Sequence, residues 1–391
     1  MKCKILIATY FFYPEITPRA FRAYELAKEF SRQGHEVTVY APEYDFDYSR
    51  LEKECGFTVK KVRTGLFLNK GRKKGVPSRE EKSSFFSSLF FFLRKKVSLF
   101  LLHPLICGTE TEYAFTLSDA LVSDDERYDL MISVALPASV HFGAAMAVSR
   151  NKDLAKIKIA DYGDPYYYNR MFNLLPFHRS LEKRAMDMFD YIVVPAEIAV
   201  GSYMHLKGRD RIKVIPQGYD LDSVNISTYI KNTVPTFGYA GVFYEKLRNP
   251  GPFLEYLCGI KEEFTFIVYT DTDDVNNMAL LVPYAEKMGA KVVFRPLVPR
   301  EECIRELSKC DFLIDMRNIS DNQVPSKIID YALTKRPVYS FSPDYFSPEI
   351  FRKFFDGDYK DALRIDICDF DIRKVVGEFL SLCQPGGSAR G

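Results

Sequence analysis

The chain has 391 residues, of which 47% are hydrophobic and 27% charged, and a formal net charge of +2. That length exceeds one ordinary core and suits two domains, and a charge so near neutrality gives no overall field that would draw the molecule to nucleic acid. Its eight cysteines are scattered without a Cys-x-x-Cys pair or a histidine cluster, which excludes zinc-ligand spacing and a disulfide framework and reads as the reduced thiols of a cytoplasmic protein.

The first elements follow one another as strand, helix and strand. Ile5-Leu-Ile-Ala8 is a continuous apolar run, the pattern of a parallel strand buried on both faces. The run stops at Pro14 without a small-residue cleavage site, so it reads as a strand and not as a signal peptide. Thr17 and Pro18 supply an N-cap and a first-turn proline for a helix whose apolar positions Phe21, Tyr24, Leu26, Ala27 and Phe30 recur at helical spacing. Gly34 ends that helix, and Val37–Ala41 is the next strand.

A basic amphipathic insertion interrupts the pattern at about 60–108. Between Lys60 and Lys96, twelve Lys and Arg face only Glu80 and Glu81. Phe86, Leu89, Phe90, Leu93, Val97, Phe100 and Leu101 form a helical stripe within it. Two readings stand: the segment 72–101 docks on an anionic membrane surface, or the stripe packs on the first domain behind a basic loop. The longest uncharged apolar stretch, Val97–Cys107, falls short of the ~18–20 residues needed to span a bilayer.

Strands are then predicted at Leu130–Val134, Ile157–Ala160, Tyr191–Pro195 and Lys213–Pro216. After a polar, turn-rich stretch a second series follows at Thr236–Gly241, Thr265–Tyr269, Lys291–Phe294, Phe312–Asp315 and Pro337–Phe341. Two successive series of this kind predict an α/β protein of two doubly wound, Rossmann-like domains. We place them at 1–196 and 197–368, with a last helix at 369–383 that crosses back and a disordered tail at 384–391.

Several short segments, in order along residues 4 to 342, carry a resemblance to a known family. They are Pro14-Glu15 through Arg22, Gly34-His-Glu-Val-Thr-Val39, Ile215-Pro-Gln-Gly-Tyr-Asp220, Gly238-Tyr-Ala-Gly241, and Pro325-Ser-Lys-Ile-Ile-Asp-Tyr-Ala332 followed by Pro337-Val338. Together they resemble the retaining glycosyltransferases of family 4, of the GT-B fold. The resemblance implies two Rossmann-like domains facing a central cleft. It implies transfer of a sugar, with retention, from a UDP- or GDP-linked donor to a glycan or lipid-linked acceptor in the assembly of surface polysaccharide or glycoconjugates. Neither a metal nor a cofactor is implied, and the location is the cytoplasm, or the inner face of the membrane if 72–101 docks there.

The donor site has a physical logic of its own. Pro325-Ser326 should open a helix whose free amides and dipole favour a phosphate, and Lys327 and Asp330, three apart, share one face. Lys327 would meet the diphosphate and Asp330 the ribose hydroxyls. By resemblance, Lys246 and Arg248 neutralise the leaving diphosphate, where charge concentrates in the transition state; which of the two points inward stays open. Gly218 of the Pro-Gln-Gly turn and Gly241 complete the set. Departures from the family pattern are Asn322 at the first position of its Glu-x7-Glu pair, Thr17-Pro18 in place of a Gly-Gly pair, and Gln217 in place of Asn.

In the first domain His141 follows a strand, in a loop where the family often carries a histidine near the reacting sugar. Asp161-Tyr-Gly-Asp164 resembles an Asp-x-Arg-Asp stretch, with Gly163 in place of Arg. Asp164 would orient the acceptor hydroxyl or cap the next helix, and sheets of this class bind ligands beyond their strand ends. Asp271-Thr-Asp273 has metal-ligand spacing but reads as a polar loop. Two other function classes remain in play: a nucleotide-sugar 2-epimerase, and a non-catalytic nucleotide-sugar-binding partner, the latter motivated by Asn322. A nicotinamide dehydrogenase is disfavoured, since no Gly-x-Gly-x-x-Gly follows either leading strand.

Overall fold

The structure, a computed structural model, describes residues 2–15, 17–64, 110–169, 174–222, 226–245, 248–317 and 327–383. The chain forms two compact units, Met1–Tyr219 with Asp371–Gly391, and Asp220–Phe370.

The first unit is built on a sheet of β1 (Lys4–Thr9), β2 (Glu36–Pro42), β3 (Thr58–Val62), β4 (Tyr128–Ala135), β5 (Ala155–Tyr162), β6 (Tyr191–Val194) and β7 (Ile212–Val214). All neighbours pair in parallel, in the order β3-β2-β1-β4-β5-β6-β7. Ile5 stands opposite Val37 on one side and Leu130 on the other; Ile5 and Ile7 pack into one core and Leu6 and Ala8 into another, so β1 is buried on both faces and needs no polar alternation. The helix Pro18–Arg32 starts where Thr17 accepts a hydrogen bond from the Ala20 amide at 3.1 Å. It lays Ala23, Leu26, Ala27 and Phe30 on the sheet.

Two features differ from expectation. Lys60 and Lys61 belong to β3 and not to a basic insertion; β3 is an edge strand among the described residues, and an edge tolerates lysines, with Lys60 reaching Asp124 at 2.6 Å. Residues 65–109, including the proposed membrane-docking stretch 72–101, lie outside the described residues. The units also divide at Tyr219–Asp220 and not at 196–197, because β7 extends the first sheet by pairing Ile212 with Ile192.

The helix Ile372–Ser381 belongs to the first unit. Its entry is fixed by a bridge between Tyr219 and Asp371, with the Ile372 amide donating to the Tyr219 carbonyl at 2.9 Å. Ile372, Val375, Val376 and Phe379 then join the core that includes Leu26 and Phe30.

The second unit carries β8 (Thr236–Ala240), β9 (Thr265–Tyr269), β10 (Val292–Arg295), β11 (Phe312–Met316) and β12 (Val338–Phe341). Again every pair is parallel, in the order β10-β9-β8-β11-β12. Phe237 is the hub of its core, with Phe264, Phe266 and Phe312 ring centroids at 5.6, 4.9 and 5.0 Å. Among the described residues no helix is long and apolar enough to cross a membrane. In both units the strand order reverses next to the leading strand, between β1 and β4 and between β8 and β11. Open parallel sheets bind ligands at the carboxyl ends of the strands flanking such a reversal.

Candidate functional site

At the reversal point of the second unit, β8 runs out through Tyr239 and Ala240 into Gly241, whose φ of +136° is one that only glycine adopts easily. A Cβ there would stand 3.3 Å from the Tyr239 hydroxyl and 3.6 Å from Arg248 Nη1. Arg248 Nη1 donates to the Tyr239 hydroxyl at 3.2 Å and to the Val242 carbonyl at 3.3 Å. From the other side, Lys327 Nζ lies 4.7 Å from the centre of the Tyr239 ring. Tyr239 itself is buried and stacked on Phe243, ring centroids 4.3 Å apart. The fold thus brings Gly241, Arg248 and Lys327 together around one rigid aromatic ring.

Lys327 opens the helix Lys327–Leu333 and turns back towards the end of β11. Its ammonium is 3.0 Å from Asp315 Oδ1 and donates to the Met316 carbonyl at 3.1 Å. Asp315 is fully buried, and its other oxygen accepts from the Ser340 hydroxyl at 2.7 Å. The same helix is pinned to β8 by Tyr331, whose hydroxyl accepts from the Ala240 amide at 2.8 Å.

Asp330 has a different partner. Arg300, at the start of the helix Arg300–Leu307, donates from Nε to Asp330 Oδ1 at 2.7 Å and holds Nη2 2.6 Å from the same oxygen. Burial raises the Asp330 carboxyl above its ordinary value, while the Arg300 charge pulls it back. Lys327 and Asp330 therefore serve separate contacts, one at Tyr239 and β11, the other at Arg300. Lys246, Asn322 and Ser326 lie outside the described residues. The Asp271-Asp273 stretch is a turn in which the Asp273 amide donates to Asp271 Oδ1 at 3.1 Å, and Asp274 caps the short helix after it.

Sequence reasoning missed Asp315 and Arg300. Asp315 had a local mark, a carboxylate at the inner end of the apolar run Phe312-Leu-Ile, where a charge needs a partner. Arg300 had none, because it is thirty positions from Asp330 on another helix.

In the first unit, Arg22 grips Asp161 with both arms of its guanidinium, Nε to Oδ2 at 2.9 Å and Nη2 to Oδ1 at 3.0 Å. It also donates to the carbonyls of Ile215 and Pro216 and lies over the Phe379 ring. One buried arginine thus ties the first helix, β5, the Pro-Gln-Gly turn and the C-terminal helix together. Gly218 has a packing duty in the same place. A Cβ on it would collide with Ile372 Cδ1 and stand 3.2 Å from the Ile372 Cα, so its smallness serves the packing of the C-terminal helix.

His141, expected in a loop after a strand, lies in the first turn of the helix Ser139–Arg150 and is 1% exposed. Its Nδ1 is 2.7 Å from the Ser133 hydroxyl and its ring packs on Tyr162 and Phe189. Burial, reinforced by the charge of Arg19, pushes its pKa down to about 3, so near pH 7 the imidazole is neutral. Asp164 is half-buried just past β5, within electrostatic reach of Arg19 and Tyr203.

No protein-family model matches the chain, and neither does any curated protein. Solved structures do match. HepE of Anabaena in complex with UDP-glucose is 11% identical, covers 97% of this chain and 99% of its own, and gives a TM-score of 0.58. A glycosyltransferase from Rickettsia africae is 10% identical over 97% of each chain, with a TM-score of 0.63. The lipopolysaccharide outer core galactosyltransferase WaaB in its apo form is 12% identical over 97% of this chain and 98% of its own, with a TM-score of 0.55. At such identities the likeness is one of architecture: the chain has the GT-B fold, two Rossmann-like α/β units.

Proposed function

We propose that the protein is a glycosyltransferase that takes its sugar from a UDP- or GDP-linked donor and delivers it, with retention, to a glycan or lipid-linked acceptor. The observation that carries this reading is the convergence of Arg248 and Lys327 on Tyr239, beside Gly241, at the reversal point of the second sheet. Two cations beside a backbone without a side chain suit a diphosphate. The bound ligands of HepE and the stated activity of WaaB support the same direction.

In this reading the bond between the anomeric carbon and the β-phosphate oxygen breaks, and one to an acceptor hydroxyl oxygen forms on the same face. The hydroxyl proton leaves with the nucleoside diphosphate. Arg248 and Lys327 stabilise the charge that grows on the leaving phosphate, so the step calls for neither a metal nor a side-chain nucleophile. Asp330 accepts the ribose hydroxyls, and assembly of surface polysaccharide at the inner membrane face is the setting that fits a lipid-linked acceptor.

Calorimetric titration with UDP, GDP and ADP and their sugar conjugates tests this. We expect one nucleotide class to bind and the binding to be lost in Lys327→Ala and Asp330→Ala. Failure of all of them to bind would remove the donor site and, with it, the transferase.

A further inference from the structure

At the carboxyl edge of the first sheet, the guanidinium of Arg19 crosses the backbone of Gly163. A Cβ on Gly163 would collide with Arg19 Cζ and stand 2.7 and 2.8 Å from its Nε and Nη1. The missing side chain at 163 is therefore what lets the cation lie there. Among the described residues the Arg19 guanidinium makes neither a hydrogen bond nor an ion pair. Burial is the largest influence on it and lowers its pKa, opposed by the negative charges of Asp161 and Asp164 and reinforced by the like charge of Arg22. Asp161 is already taken by both arms of Arg22, and Asp164 has contacts of its own.

Two more buried polar atoms lie within electrostatic reach of Arg19. Tyr162, the neighbour of Gly163, packs against the His141 ring at 4.3 Å and the Tyr203 ring at 4.8 Å. His141 and Tyr203 are each 1% exposed, and neither His141 Nε2 nor the Tyr203 hydroxyl has a hydrogen-bond partner. The charge of Arg19 bears on both. Buried polar atoms are almost always paired, and leaving them unpaired is costly. A partly buried guanidinium with no hydrogen bond or ion pair of its own among the described residues adds to that cost.

We propose that Arg19, with His141 and Tyr203 over Gly163, forms a subsite for an anionic group, a carboxylate or a phosphate, carried by the acceptor sugar. This rests on the transferase reading and narrows its acceptor to acidic sugars or sugar phosphates. A guanidinium presents two parallel N–H groups that match two oxygens of either anion. The Tyr203 hydroxyl donates a further bond, and His141 Nε2 completes the ring of contacts as a neutral imidazole. The negative charge of Asp164 restricts the subsite to one anionic group. His141 and Tyr203 are ligand contacts here, and no proton transfer is asked of them.

The test titrates the full chain with D-glucuronate, inorganic phosphate and, as neutral control, D-glucose, reading ligand signals by saturation-transfer NMR. The same protein is titrated with UDP and GDP. We expect glucuronate or phosphate to bind and glucose not to. That binding should survive Lys327→Ala, weaken at least tenfold in Arg19→Gln and weaken less in Arg19→Lys, which keeps the charge but loses the fork. Nucleotide affinity in Arg19→Gln should equal the parent's, and a parent-like unfolding midpoint read by a probe in the first unit shows that the variant is folded there. Glucuronate alone binding identifies a carboxylate, and phosphate alone a phosphate. If neither anion binds while a nucleotide does, the subsite is overturned and the donor reading stands. Anion binding that Arg19→Gln leaves intact overturns the subsite as well.

Discussion

The ammonium of Lys327 rests 3.0 Å from the fully buried carboxylate of Asp315, at the end of β11. The pair holds the lysine beside Tyr239, and it leaves Asp315 dependent on Lys327 for its counter-charge. Lys327→Ala should therefore destabilise the second unit by about 3–5 kcal/mol and weaken nucleotide diphosphate binding by roughly 2–5 kcal/mol. The double variant Lys327→Met, Asp315→Asn separates the two effects: denaturant unfolding should recover most of the stability, and calorimetry should find nucleotide binding still lost. Full nucleotide affinity in the double variant would reduce Lys327 to a structural residue.

Asp330 yields a pH-dependent prediction. Burial raises its carboxyl and Arg300 opposes the rise, so Arg300→Gln should raise it further. Nucleotide binding that needs the carboxylate should then weaken at mildly acidic pH and recover as pH increases, with the midpoint displaced upward from the parent's. Asp330→Asn should abolish that pH dependence. The accompanying stability term has the opposite sense. A carboxyl whose folded pKa is raised favours the folded state below its unfolded value, and this contribution is lost as pH rises through the folded one.

His141 should govern part of the acid limb of stability. Its folded pKa is about 3, below the roughly 6.5 of a free histidine, so the unfolded chain binds the extra proton between those values. Stability should fall as pH drops through that window, by about 1.4 kcal/mol per pH unit from this group alone. His141→Gln should flatten the slope, measured as the denaturation midpoint by circular dichroism between pH 6.5 and 4. An unchanged slope would show the imidazole to be accessible to protons in the folded chain.

Arg22 and Asp161 are a buried pair whose loss should be felt across the whole first unit. Arg22→Met strips Asp161 of both guanidinium hydrogen bonds and should cost about 3–5 kcal/mol. Arg22→Lys keeps the charge but cannot span Asp161 and the Ile215 and Pro216 carbonyls together, so it too should destabilise. With two units in the chain, unfolding should be followed by probes in each, and the loss should fall on the first. A loss confined to the second unit would contradict the assignment.

Most strands could be read from the chain because central parallel strands are apolar without interruption, as in Ile5–Ala8 and Leu130–Val134. The exception, β3, has the sequence Thr-Val-Lys-Lys-Val, which an edge strand tolerates and which looks like the start of a basic loop. The unit boundary was missed for another reason: Lys213-Val-Ile looks like a strand, but nothing local says which sheet it joins. At the candidate site, the segments that carry Gly241, Arg248 and Lys327 were recognisable as motifs. Their partners Asp315 and Arg300 come from other elements, and pairing over such separations is a tertiary property. The burial of His141 did have a signal. Phe142-Gly-Ala-Ala-Met-Ala-Val148 is apolar or small on every side, the composition of a helix enclosed all round.

The return of the chain at Asp371 has a consequence for biosynthesis. Ile372, Val375, Val376 and Phe379 are integral to the core built on the first helix, yet they are translated after the entire second unit. The first unit can thus begin to fold on the ribosome but cannot seal its core until those residues emerge, whereas Asp220–Phe370 is complete before then. The half of the protein made first is the half that finishes last, and a chain cut short after Phe370 would carry an intact second unit beside an open, apolar surface on the first.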